Sequence, residues 1–285
     1  MKAKRKANLA VSYLVLVIIS IIWLFPFVCL VLQSFRGYGA ADGGGGMVNY
    51  LLPKRWTLDS YKYLFSGDSK FIRWYINTLI IALAVTIVQS LVVVCVSYAL
   101  SRMRFKGRKL LMNIWLVLGM FPGFLTMICL YFLLKSIGLT QNGAIPGLIL
   151  ISAASSGMGY YVCKGYFDTI PRSLDEAARI DGATRMQIMN ILIAPLSKPI
   201  IIYQLLIAFM APWCDYIFAS YVAFGHSDSY NVAVALQKWV WTNDYQGYFT
   251  RFCAGGILVA IPVTILFMCL QRYYVEGVTG GAVKG

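Results

Sequence analysis

The chain has a single histidine, His226, so neither an H-E-x-x-H metal helix nor a cluster of imidazole ligands is available to it. Its seven cysteines stand singly, with no C-x-x-C pair. That leaves no disulfide framework and no thiolate metal site; inside apolar runs each cysteine acts as a small hydrophobe. The dipeptide Gly-Lys does not occur, so no G-x-x-x-x-G-K-[ST] loop exists to cradle nucleotide phosphates. Charge is scarce: 13% of residues are charged and only 11 are acidic. A soluble domain of this length needs far more polar surface. No cofactor or metal is expected, and no pair of histidines or intramembrane acids is present from which a membrane enzyme would be built.

Apolar residues fill the space. They make up 59% of the 285 residues, with a mean hydropathy of +0.70. Runs long enough to span a bilayer, about 20 residues each, fall near 10–32, 75–100, 110–134, 144–162, 199–221 and 252–270. The expected fold is therefore an all-α polytopic membrane protein with six transmembrane helices. "KAKRK" ahead of the first run imitates a signal peptide, but that run is longer than a typical signal core and is read as an uncleaved anchor.

The net charge of +14 would suit nucleic acid, but the basic residues are distributed between the apolar runs rather than gathered in one patch, so no nucleic-acid partner is expected. Their placement reads as topology. With the N-terminus inside, the inner segments hold sixteen of the 25 lysines and arginines, from Lys2 to Lys6, Arg102 to Lys109, Lys164 to Lys198, and at Arg272 and Lys284. The positive-inside rule then puts both termini on the cytoplasmic side of the membrane. "SRMRFKGRK", Ser101 to Lys109, reads as a topology anchor. Three parts result: 1–73, with the N-terminus, first span and an external loop; 74–272, with five helices; and 273–285, a cytoplasmic tail. The external loop carries "GYGAADGGGG", read as flexible and without helical tendency. The last external loop, with "LQKWVWTNDYQGYF", is an interfacial belt or a partner contact.

One inner segment, 164–198, breaks the apolar pattern with "SLDEAARIDGATRMQIMNILIAPLSKP". As a seventh span its Asp175, Arg179, Asp181 and Arg185 would cost about 10–14 kcal/mol near the bilayer centre. It stays outside lipid. Ser173 with Glu176 makes a capping-box pattern, Gly182 suits a left-handed stop, and Thr184 with Gln187 repeats the box for a second helix ending before Pro195. The unit predicted is helix, glycine turn, helix. Ala177 and Ala178, beside Leu174, are small enough to let the first helix lie close against another surface.

Within the runs, Asp215 in "MAPWCDYIF" is an acid at membrane depth, which marks a functional site. Pro212 loosens the helix before it, and Trp213 and Tyr216 set aromatic faces beside the acid, so these four are candidates for lining a path through the membrane; the competing reading puts Asp215 near the outer surface, hydrated and paired with a neighbouring subunit. Pro122 and Gly123 point to a kink or gate in the third span.

"EAARIDGATRMQIMNILIAP" resembles the EAA loop of bacterial ABC importer permeases. Glu176, Ala177, Ala178, Gly182 and Pro195 fall on its pattern; Leu192 and Ala194 stand where isoleucine and leucine are usual. "KGYFDTIPRSLDEAARIDGAT", "AFMAPWCDYIF", "AVALQ" and the terminal "RYYVEGVTGGAVKG" extend the likeness to the carbohydrate branch, of the MalG-type maltose/maltodextrin kind. That resemblance implies a type I ABC importer permease fold working with a second homologous permease, two copies of a cytosolic ABC ATPase and an extracytoplasmic sugar-binding protein. It also implies an oligosaccharide substrate. Glu176, Ala177, Ala178, Asp181, Gly182 and Pro195 would couple to the ATPase, and the tail with Gly280, Gly281, Lys284 and Gly285 would reach toward the ATPase interface. An ion-coupled secondary transporter is the rival reading. It would carry an internal repeat and buried ion sites, and one buried acid without an evident repeat argues against it.

Overall fold

The computed structural model describes residues 2–241 and 245–282, and its regular elements are helical. In chain order they are α1 (Lys2–Ser34), α2 (Asp59–Phe65), α3 (Phe71–Arg102), α4 (Arg108–Gly119), α5 (Gly123–Ser136), α6 (Ala144–Ala154), α7 (Gly157–Asp168) and α8 (Arg172–Ile180). Then come α9 (Arg185–Leu196), α10 (Lys198–Cys214), α11 (Ile217–Val222), α12 (Val232–Trp241) and α13 (Tyr245–Ala282). Among the described residues four stretches are long and apolar enough to cross a membrane: Leu9–Ser34, Phe71–Arg102, Gln141–Asp168 and Gly247–Tyr273. Two further pairs qualify only when joined across a bend, α4 with α5 at 104° and α9 with α10 at 84°.

The expected third span is thus not a kinked rod but two helices at roughly a right angle. Pro122, with φ −57° and ψ 122°, starts α5 after the chain leaves α4. A proline has no N–H to continue the earlier ladder, and its ring crowds the preceding turn. The fifth run, expected over 199–221, is also interrupted. Helix α10 ends at Cys214, two residues beyond Pro212, and Asp215 turns extended with ψ 92° before α11 begins. The fourth run steps at Ser155–Ser156, between α6 and α7. Residues 273–282, expected as a tail, continue α13 as helix, with Gly280 and Gly281 in its final turn; Lys284 and Gly285 lie outside the described residues.

The chain divides into two compact units, one of residues 1–72 and 236–260, the other of 73–235 and 261–285. In the first, the glycine-rich stretch is folded, contrary to its expected flexibility. Ala40–Asp42 forms a 3₁₀ turn, Asp42 is buried against Arg55 at 2.8 Å, and fully buried Arg36 donates to the Gly46 carbonyl. Gly45 makes this possible. Its φ is +79°, a Cβ there would meet the Tyr38 ring, and its carbonyl accepts from Thr250 N at 3.0 Å. Beside it the Arg251 guanidinium lies over the rings of Tyr63, Tyr38 and Tyr248 at 3.4, 4.2 and 4.8 Å.

In the second unit α3 is held at both ends. Near its start Trp74 Nε1 donates to Ser227 O at 2.7 Å. Asn77 Nδ2 donates to the carbonyls of Asp228 and Tyr230 at 2.8 and 2.9 Å, and Thr78 Oγ1 accepts from Val232 N at 2.7 Å. At its far end Tyr98 joins Phe167, Ile170, Ile188, Met189 and Ile193 in a buried cluster, against which Ala178 and Ala183 pack.

Candidate functional site

Helix α8 begins two residues earlier than the capping pattern suggests. Pro171 precedes it with φ −57° and ψ 133°, and Leu174 N donates to Pro171 O at 3.3 Å. The box expected between Ser173 and Glu176 does not form, because both already lie inside the helix that Pro171 starts. Its other end follows the expectation. Gly182 has φ +84°, Gly182 N donates to Arg179 O at 3.0 Å, and Ala183 N donates to Ala178 O at 2.9 Å. This is a Schellman closure, in which the two amides after the helix satisfy carbonyls of its last turn. The Thr184–Gln187 box is also formed: Thr184 N donates to Gln187 Oε1 at 2.8 Å and Gln187 N to Thr184 Oγ1 at 3.3 Å.

Helix α9 then runs through Pro195 instead of ending before it, and its middle, Ile188–Ile193, winds as a π-helix. A proline ring clashes with the carbonyl one turn back, and the wide turn just ahead opens that spacing.

The helical period sorts α8 into two sides. Glu176, Ala177 and Ile180 are open, Ile180 to 86%, and Leu174, Met186, Asp181, Gly182 and Pro195 are exposed on the same segment. Asp175 and Ala178 turn inward. Ala178, expected on the docking face, instead packs against the buried cluster, and Asp175, read from sequence as one of the charges that keep the segment out of lipid, is buried. Asp175 Oδ2 lies 3.2 Å from Arg102 Nε, and Arg102 is buried too. Arg102 Nη2 also donates to the carbonyls of Phe167 and Ile170 at 3.0 and 2.9 Å. Sequence reasoning took Arg102 as one of five topology charges. Nothing local separates it from its neighbours, because its acid lies 73 positions on.

A cavity of about 930 Å³ opens in the same unit between α3, α4, α5, α6, α7 and α10, lined by Gln89, Trp115, Thr126, Ser152, Ser155, Tyr160, Tyr203, Gln204 and Asp215 among others. Trp115 and Tyr160 stack at 4.9 Å, and Gln89 Nε2 donates to Ser152 O at 3.0 Å. Of the four candidates, Asp215 lines this cavity. Pro212 lines only a smaller one of about 140 Å³, shared with Asp215 and Asn231. Trp213 is core, edge-on to Tyr75 at 5.2 Å, and Tyr216 lines neither. The amides Gln89 and Gln204 were missed because the search of the apolar runs was for charge; a glutamine in such a run is the signal that would have found them. Apart from Asp215, the polar lining consists of uncharged donors and acceptors, which with the aromatic faces suit a hydroxyl-rich solute. Among the described residues no group of three His, Cys, Asp or Glu side chains could hold a metal.

The wall is fixed by one side chain. Asn231, 1% exposed, donates through Nδ2 to Asp215 O at 2.7 Å and Pro212 O at 3.3 Å, taking the carbonyls that the end of α10 leaves open, and its Oδ1 accepts from Val234 N at 2.9 Å. Asp215 Oδ1 in turn accepts from Ala219 N at 3.4 Å, at the start of α11. Asn231→Leu should lower stability by about 2–3 kcal/mol, since buried carbonyls lose their donor. Thermal unfolding of the purified chain in detergent reads this, and an unchanged midpoint would refute it.

Residues 91–280 match the family described as binding-protein-dependent transport system inner membrane component. The chain is 36% identical to the maltodextrin transport system permease protein MdxG of Bacillus subtilis over 99% of its length and 98% of that protein's. It is 35% identical to the galactooligosaccharides transport system permease protein GanQ of the same organism, over 100% and 99%. It is 30% identical to the maltose/maltodextrin transport system permease protein MalG of Escherichia coli K12, over 99% and 97%. Among solved structures it resembles a chain of a bacterial ABC transporter involved in importing the acidic polysaccharide alginate, with a TM-score of 0.77 and 25% identity over 96% of this chain and 98% of that one.

Proposed function

Because the chain belongs to the binding-protein-dependent transport system inner membrane component family, we propose that it is one of two permease subunits of an ATP-driven oligosaccharide importer and that α8 is where the motor pulls. Membership makes it a multi-pass transport subunit of the cytoplasmic membrane and an ABC sugar-importer permease, not an enzyme. The observation that carries the coupling role is the open side of α8. Glu176, Ala177 and Ile180 stand exposed on a short helix outside the apolar runs, its exit angle held by Gly182. Without a phosphate-binding loop, the chain needs an engine on other polypeptides. Two copies of a cytosolic ABC ATPase would dock on this face and its counterpart in the second permease, with the tail from Gly280 reaching toward their interface. An extracytoplasmic binding protein would deliver sugar to the opposite side.

Malto-oligosaccharide is the substrate assigned, in line with the names of MdxG and MalG, with galactooligosaccharide as the competitor in the test. The complex reconstituted in liposomes should accumulate labelled maltotriose on ATP and stop when the ATPase is omitted. Uptake driven by an ion gradient without ATP would overturn the reading in favour of a secondary transporter, and preference for galactooligosaccharides would overturn the sugar.

Asp215 on the cavity wall supports a place in the path. Asp215→Asn keeps an oxygen for the Ala219 amide but removes the charge, and uptake should fall several-fold with the complex intact; unchanged affinity and rate would remove Asp215 from the path. The basic asymmetry supports a cytoplasmic position for both termini. Cysteines introduced at Lys6 and Lys284 should resist an impermeant thiol reagent in intact cells, and labelling of either would reverse the topology.

A further inference from the structure

Resting on the coupling role proposed above, we infer that Arg102 is the positioning residue through which α8 moves the spans, one guanidinium fastening α3, α7 and α8 into a single body. It is the last residue of α3. Its Nε faces Asp175 on the inner side of α8 at 3.2 Å, and its Nη2 takes the Phe167 carbonyl in the last turn of α7 and the Ile170 carbonyl just beyond. Those carbonyls belong to the negative end of α7, where a cation is favoured.

Three more bonds brace the same place. Arg172 Nη2, at the start of α8, donates to Ser101 O at 3.1 Å, and Tyr98 Oη donates to Arg185 O, at the start of α9, at 3.0 Å. Ser101 Oγ donates to Asp168 Oδ1 at 2.6 Å. The segment on either side of Gly182 is thus tied to the final turn of α3 from two directions.

Stability alone does not call for this chemistry. A buried ion pair is often no more stabilising than apolar side chains of the same volume. What apolar contact lacks is direction, and a planar guanidinium that donates to two carbonyls at the end of α7 while pairing with Asp175 of α8 favours one arrangement of the three helices. A topology anchor would also sit in water, whereas Arg102 is 8% exposed.

The test replaces the joint with grease. In Arg102→Met/Asp175→Leu, reconstituted with its partners, ATPase subunits should still co-purify and hydrolyse ATP, while sugar moved per ATP falls about tenfold, the scale of a site-to-site coupling. Arg102→Lys, which keeps the charge without the fork, should fall between. Full transport per ATP in the double variant would overturn the inference. A parent complex that moves no sugar on ATP would remove the coupling reading and the inference with it; a working parent beside an equally efficient double variant removes the inference alone.

If the double variant does not assemble, the intact pair decides. Spin labels at Ser173→Cys and Arg104→Cys, in a background without native cysteines, should keep their separation within about 2 Å between resting and vanadate-trapped complexes, the scale of small helix adjustments. A larger change would show α8 slipping past α3 and end the proposal.

Discussion

Gly182→Val is expected to cut ATP-driven uptake more than tenfold while leaving the apolar helices inserted. The position has φ +84°, and a Cβ built there meets nothing within 4 Å, so the penalty is in the backbone and not in a clash. A β-branched residue held there costs about 1–3 kcal/mol. The cheaper outcome is for the chain to leave the left-handed region. Doing so breaks the Gly182–Arg179 and Ala183–Ala178 bonds and swings α8 relative to the Thr184 cap of α9. The docking face would then point elsewhere. Purified complex should contain less ATPase or hydrolyse ATP without moving sugar. Stoichiometric ATPase with full uptake would reduce the turn to a connector.

The second large effect separates two neighbouring alanines. Ala178→Arg should destabilise the chain itself, because Ala178 packs against Tyr98, Phe167 and their cluster, where a long cation finds no acid to spare. Truncated yield and early unfolding of the isolated permease would be the signs. Ala177→Arg, one position away on the open side, should leave yield and unfolding unchanged and remove ATPase subunits from the purified complex. If both variants lose the ATPase with equal, normal permease stability, then Ala178 faces outward and the assignment of sides is wrong. If Ala177→Arg retains full ATPase, the open side is not the docking face.

These expectations differ from what the residues alone suggest, and the reasons are physical. The apolar runs were legible because the bilayer demands them whatever the tertiary packing, and Pro122 announced a break because its defect is in its own ring. Gly182 was legible for the same reason: a left-handed turn after a short helix has few alternatives to glycine. The Ser173 box was not, because the preceding Pro171 starts the helix first. The glycine-rich stretch read as slack because its order comes from buried Arg36 and the distant Thr250 amide, which no window of neighbouring residues contains. Arg102 and Asp175 failed in the same way, each explained locally by a charge rule that its partner overrides. The cavity was half legible: Asp215 stood out by its charge, while Gln89 and Gln204 carry none.

Helix α3 has a further consequence as a mechanical part. Its 32 residues make a bar about 48 Å long, without the interruption that divides the helices of the third and fifth runs. One end is pinned to the 227–232 loop through Trp74, Asn77 and Thr78, the other to α7, α8 and α9 through Tyr98, Ser101 and Arg102. A stiff bar seated on a packed middle is a lever, and its ends travel in opposite senses about the fulcrum. On the coupling role proposed for α8, a pull at the inner end of this bar would be felt at the 227–232 loop in the same stroke, with no further element between them.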